Sequence, residues 1–185
     1  MSGDQRTRPG GFKIGQSSAT APGTSSKSLT VEVISRSPDQ TQAIGRVLGK
    51  HAGPGDVYPL VGRLGAGKTC LTQGILWGLS GDEYARSPTF VLMSQYQARL
   101  TLYHIDLYRL DTLAEVTDLG LDEYLFGDGV CVVEWAEKAP GICPPEHMAI
   151  RIDRIDESTR RLTLTATGKR FAKTIHAVRA ASVSN

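Results

Sequence analysis

The sequence predicts a three-layer α/β domain built on a mixed β-sheet, and three observations carry that prediction. Between residues 29 and 168 strand-like and helix-like segments alternate, the pattern of a sheet covered by helices. A glycine-rich run, "GRLGAGKT" at residues 62–69, sits between a short apolar strand and a helical stretch, the setting a phosphate loop requires. Near the end, "MAIRID" and "RLTLTA" alternate apolar and polar residues, which predicts a closing hairpin with one buried face on each strand.

Taken in order, "LTVEVIS" (29–35) reads as the first strand and "SPDQTQAIGRVLGKHA" (37–52) as a helix. Ser37 is placed to cap that helix, Pro38 to occupy its first position and Gln40 to follow three residues after the cap. A turn at "GPGD" leads into the short apolar strand "VYPLVG". After the glycine-rich run, Leu71, Ile75 and Leu79 recur at helical spacing. "TLYHI" then reads as a strand ending at Asp106, and "VCVV" as one ending at Glu134.

The chain has 185 residues, 40% of them apolar, which suits one domain with a sizeable core. Residues 1–28 hold 16 Gly, Ser, Thr or Pro, a composition unable to offset its ordering entropy, and are expected to be disordered. Residues 169–185 carry four basic and no acidic side chains and are expected to be a solvated basic tail. The domain proper is therefore expected at 29–168. No apolar run approaches the roughly 18 residues of a membrane span, and three cysteines without paired spacing favour neither a disulfide framework nor a zinc site. A reducing cytoplasm fits this reading.

The net charge of +2 is unevenly spread: +3 lies in residues 1–28 and +4 in 169–185, leaving −5 for the core. An acidic core is a poor direct platform for nucleic acid, where Lys and Arg contacts to phosphate dominate affinity.

The glycine-rich run matches G-x-x-x-x-G-K-[ST]. Its glycines admit backbone dihedrals closed to other residues, so that successive N–H groups can face phosphate oxygens, and the following helix adds its positive dipole end. Gly65, Ala66, Gly67, Lys68, Thr69 and Cys70 form the expected nucleotide-binding run, with Lys68 for the β- and γ-phosphates and the Thr69 hydroxyl for Mg²⁺. Acids at strand ends are the natural companions of such a loop, which selects Asp106 and Glu134. In "SPTF", Pro88 restricts the loop, which either presents the Thr89 hydroxyl to Mg²⁺ or the γ-phosphate as a switch loop does or is a plain turn into the next strand. Arg109 is a candidate sensor of phosphate charge or a solvated loop residue. Trp135 either closes over the site or fills the core, and His104, alternating within its strand, reads as structural.

"GRLGAGKT", "SPTF", "YHIDLYRL", "LGLDEY" and "VEWAE", in this order, resemble the TsaE (YjeE) family of bacterial tRNA threonylcarbamoyladenosine biosynthesis ATPases over roughly residues 37–165. The resemblance implies a small ATPase using ATP and Mg²⁺, slow alone and stimulated by its partners TsaB and TsaD. It further implies support for threonylcarbamoyl transfer to adenosine 37 of tRNAs reading ANN codons, with tRNA met only through the complex. By the same match Lys68 and Thr69 bind nucleotide, Thr69 and Glu134 the metal, Asp106 and Glu134 are the essential acids, Trp135 lies beside the site, and Ser87 and Thr89 belong to the switch loop. Arg63 and Cys70 depart from the family's usual Asp and Thr. A GTPase is disfavoured because the single asparagine is Asn185, leaving no guanine-reading motif. A small-molecule kinase is the alternative, yet residues 111–128 carry six acids and no Lys or Arg, a poor lid for phosphates.

Overall fold

The computed structural model describes residues 28–183, so the segment expected to be disordered lies, except for Ser28, outside the described residues. Within them, seven strands form one sheet: β1 (Leu29–Ser35), β2 (Val57–Val61), β3 (Met93–Tyr96), β4 (Leu102–Asp106), β5 (Val130–Glu134), β6 (Met148–Arg154) and β7 (Arg160–Ala166). Their order is β1-β7-β6-β2-β5-β4-β3. The central strands β6, β2, β5 and β4 are parallel; β7 runs antiparallel between β6 and β1, and β3 pairs antiparallel with β4 at the other edge. The mixed sheet is thus as expected, and the closing hairpin is β6–β7. Strand β5 is buried at every position and β2 at all but its last, as strands covered on both faces must be. Pro59 is tolerated in central β2 because pairing to β6 starts only at Leu60, so its missing N–H costs no bond on that side.

The helices are α1 (Pro38–His51), α2 (Lys68–Gly78), α3 (Leu113–Asp118), α4 (Asp122–Leu125) and α5 (Ala172–Val183). Alternation along the central strands sends Tyr58, Leu60, Leu102, Val130 and Val132 into one core with Leu48, Leu71 and Ile75. It sends Val57, Ile105, Cys131 and Val133 into a second core under Val116, Leu121 and Leu125. Three layers result, and α2 with its phosphate loop belongs to the first core. Ser37 caps α1 as expected, accepting from the Gln40 N–H at 3.2 Å, while the Gln40 amide oxygen reaches the N–H of Arg36 at 2.7 Å. The six acids of residues 111–128 are all exposed, and Thr112 and Glu115 close a capping box at the start of α3.

Helices α1 and α2 meet backbone to backbone. A Cβ added at Gly49 would stand 2.1 Å from the carbonyl oxygen of Ile75, and one at Gly74 would stand 2.2 Å from that of Gln42. Gly45 and Gly78 are equally closed to a side chain. This contact sets how far α2 stands from its neighbour.

The C-terminal segment corrects the sequence reading. Residues 169–183 are not a solvated tail: a 3₁₀ turn at Lys169–Phe171 leads into α5, and Phe171, Ile175 and Val178 are 1% exposed within the first core. Arg170 binds Asp56 at 2.7 Å. The four basic side chains do face outward, but apolar residues at i, i+4 and i+7 give the helix a buried stripe that a charge count hides. Among the described residues no helix is long and apolar enough to cross a membrane.

Candidate nucleotide-binding site

The glycine-rich run leaves β2 at Val61 and enters α2 at Lys68, so the chain turns sharply at the carboxyl edge of the sheet. Gly65 (φ 73°) and Gly67 (φ 108°) take left-handed backbone conformations, and a Cβ at either would meet nothing within 4 Å. Their open side is where a ligand's oxygens can approach the backbone. Gly62 serves differently, since a Cβ there would press on the carbonyl oxygen of Ile152 at 2.6 Å.

A cavity of about 440 Å³ opens over this loop, lined by Leu64 and all six residues from 65 to 70, with Ser87, Thr89, Asp106, Tyr108, Glu134 and Trp135 opposite. Register explains the two acids: Asp106 at the end of β4 pairs with Glu134 at the end of β5, so both side chains leave the same face beside α2. The Thr69 hydroxyl donates to Oε1 of Glu134 at 2.8 Å, and His104 donates to the same oxygen at 2.8 Å. Oδ2 of Asp106 accepts the hydroxyls of Ser87 and Thr89, each at 2.6 Å, and its Oδ1 accepts the Tyr108 N–H at 2.9 Å. Asp106 therefore ties residues 87–89 to the sheet. Gln73 of α2 supports the same segment, accepting from the Ala85 N–H at 2.7 Å and donating to the Glu83 carbonyl at 3.1 Å.

Lys68 is 5% exposed and folds back on its own loop, donating to the carbonyls of Gly62 at 2.8 Å and Arg63 at 3.2 Å. Its ammonium also stands 3.8 Å from the Trp135 ring centroid, a cation–π contact. Burial pulls its pKa below the usual value for lysine, against the opposing pull of Glu134, Glu137 and Asp106. Trp135 itself has φ 60°, a left-handed conformation costing a non-glycine residue about 1–3 kcal/mol, and its ring packs on Tyr108 at 4.9 Å.

Of the residues selected from the sequence, only Arg109 stays out of the cavity wall: its exposed guanidinium lies 4.1 Å over the ring of Phe90. Cys70 lines the site, and burial together with the Asp39 charge pushes its thiol pKa up. Sequence reasoning missed Tyr108, the bond from His104 to Glu134, and Arg160, whose Nε donates to the Ala66 carbonyl at 3.0 Å. Period-two spacing around Asp106 carried a signal for His104 and Tyr108. Arg160 lies 94 positions from its partner and carried none.

The donor set suits a polyphosphate with a hard divalent cation: open backbone amides, a lysine, a hydroxyl and a carboxylate face one cavity. Among the described residues no cluster of three or more His, Cys, Asp or Glu could hold a metal ion, so a cation here would draw further ligands from phosphate oxygens and water.

Comparison with known proteins places the chain in a family. The profile of the family "Threonylcarbamoyl adenosine biosynthesis protein TsaE" matches residues 35–162. A relative from Bacillus subtilis (strain 168), named tRNA threonylcarbamoyladenosine biosynthesis protein TsaE, is 44% identical over 135 residues, covering 72% of this chain and 84% of its own. Its namesake from Treponema pallidum (strain Nichols) is 40% identical, covering 71% and 97%. The crystal structure of Bacillus subtilis YdiB superposes with a TM-score of 0.72 at 35% identity, over 83% of this chain and 97% of that one. The chain therefore belongs to the TsaE family.

Proposed function

We propose that this protein is a P-loop ATPase of tRNA threonylcarbamoyladenosine biosynthesis, acting in the cytoplasm with TsaB and TsaD to sustain modification of adenosine 37 in tRNAs reading ANN codons. One observation carries the reading most: Thr69 and Glu134 meet at 2.8 Å on the wall of a cavity floored by an open glycine loop and Lys68. In this reading the backbone amides of residues 65–70 and the start of α2 hold the phosphates. Lys68 exchanges the carbonyls of Gly62 and Arg63 for phosphate oxygens. Thr69 and Glu134 are the residues that would hold Mg²⁺, which supplies neutralisation of charge on the phosphate oxygens. Asp106 acts on the reaction by holding Ser87 and Thr89 at the cavity wall, and Trp135 and Tyr108 form an apolar flank that limits water. The −5 charge of residues 29–168 favours contact with tRNA through the partner proteins.

Calorimetric titration with ATP and GTP in the presence of Mg²⁺, alongside co-purification with TsaB and TsaD, tests the proposal. It predicts ATP binding, weak GTP binding and recovery of both proteins. Equal affinity for the two nucleotides or failure to recover either partner counts against it.

A further inference from the structure

Three elements converge on one oxygen atom. Oε1 of Glu134 on β5 accepts from Thr69 on α2 and from His104 on β4. His104 lies two residues before Asp106 and so leaves the same face of β4, the face from which Glu134 emerges in register with Asp106. The imidazole is fully enclosed and Glu134 is 3% exposed. Among the described residues, Nδ1 of His104 is the one buried side-chain nitrogen or oxygen without a hydrogen-bond partner.

The geometry identifies the donor in the bond to Glu134. A carboxylate can only accept, so the proton of this bond resides on Nε2. The imidazole bond fixes the direction of the carboxylate from one side while the Thr69 hydroxyl fixes it from the other. Since both donors use Oε1, Oε2 has no hydrogen bond among the described residues and remains available at the cavity wall. We propose that His104 is a positioning residue, holding Glu134 by a hydrogen bond from Nε2 so that its free oxygen addresses the metal-nucleotide complex. This inference rests on reading the cavity as a nucleotide and metal site.

Two measurements on the full chain test it. With ¹⁵N-labelled histidine, the resonance lost in His104→Gln should show a protonated Nε2 engaged in a hydrogen bond. An unprotonated Nε2 overturns the proposal. Mn²⁺ titrated into the ADP complex and followed by its paramagnetic resonance signal provides the second readout. His104→Leu, which keeps bulk but has no donor, should weaken Mn²⁺ binding by about tenfold or more, the usual cost of losing a group that orients a metal ligand. Metal-free ADP affinity should stay within about twofold, and His104→Gln, which restores a donor near the Nε2 position, should recover most of the loss.

Unchanged Mn²⁺ affinity in a folded leucine variant overturns the proposal, as does a parallel loss of metal-free ADP binding, which would mark a structural role. If the leucine variant does not fold, His104→Met, which also lacks a donor, takes its place: a tenfold loss of Mn²⁺ affinity upholds the inference and unchanged affinity overturns it. Absence of ADP binding by the wild-type chain would remove the nucleotide reading and this inference together. ADP and Mn²⁺ binding that ignores residue 104 would remove the inference alone.

Discussion

Replacing Gly49 by alanine tests whether the backbone contact between α1 and α2 positions the phosphate loop. The new Cβ would stand 2.1 Å from the Ile75 carbonyl oxygen and 2.9 Å from the Gly78 Cα, where ordinary contact begins at 3.4 Å. The helices must separate by about 1.3 Å, and because both obstacles are backbone no side chain can turn away. Overpacking of this kind costs about 1–3 kcal/mol, and with rigid partners the upper part of that range applies. Alanine's better helix propensity returns about 1 kcal/mol. The net loss is about 1–2 kcal/mol, which for a domain of this size lowers Tm by about 2–8 °C. Gly53→Ala is the control, because a Cβ there meets nothing within 4 Å. Thermal unfolding of the three proteins, with nucleotide titration of each, reads the result. Gly49→Ala should melt below wild type and bind nucleotide more weakly, since α2 carries Lys68 and Thr69, while Gly53→Ala should do neither. A Gly49→Ala protein as stable as wild type would refute the claim that this contact is closed.

Lys68→Ala removes the cation from the loop and should weaken ATP by about 1.5–3 kcal/mol, or roughly 10- to 150-fold in Kd by calorimetry; unaltered affinity would move the nucleotide elsewhere. Glu134→Ala should lower ATP hydrolysis by roughly 10²-fold, the scale of losing one group that stabilises developing charge, with ATP affinity much less affected; proportional losses in both would reduce the residue to a support of the fold. Phe171→Ala should destabilise the protein by about 3–5 kcal/mol in denaturant unfolding, because the ring is 1% exposed against Tyr58; a loss below about 1 kcal/mol would restore the reading of this end as a solvated tail.

What the sequence made legible was local. The phosphate loop is contiguous, and its strand and helix declare themselves on either side. Asp106 and Glu134 were found because each ends an apolar run, and parallel pairing then places them in register. What stayed hidden depends on distance in the chain. The Ser87 and Thr89 hydroxyls reach Asp106 across 19 and 17 positions, a tie between loop and sheet that no local spacing announces. Gly45 and Gly49 face Gly74 and Gly78, yet each pair in isolation reads only as weak helix former. Arg109 lies three residues from Asp106, but its stacking on exposed Phe90 takes it out of the cavity. At the C-terminal end the apolar stripe is only three residues, Phe171 in the 3₁₀ turn with Ile175 and Val178 in α5, so net charge outweighed it in the sequence.

The most direct test is a reconstituted modification reaction. Unmodified tRNA reading an ANN codon is incubated with TsaB, TsaD, a threonylcarbamoyl donor and ATP with Mg²⁺, with this protein present as wild type, as Lys68→Ala, or absent. Mass spectrometry of the digested tRNA then quantifies modified adenosine 37. The account predicts sustained modification only with the wild-type chain, accompanied by ATP hydrolysis faster than the isolated protein achieves. Equal modification with the Lys68→Ala variant, or with no added chain, would contradict it.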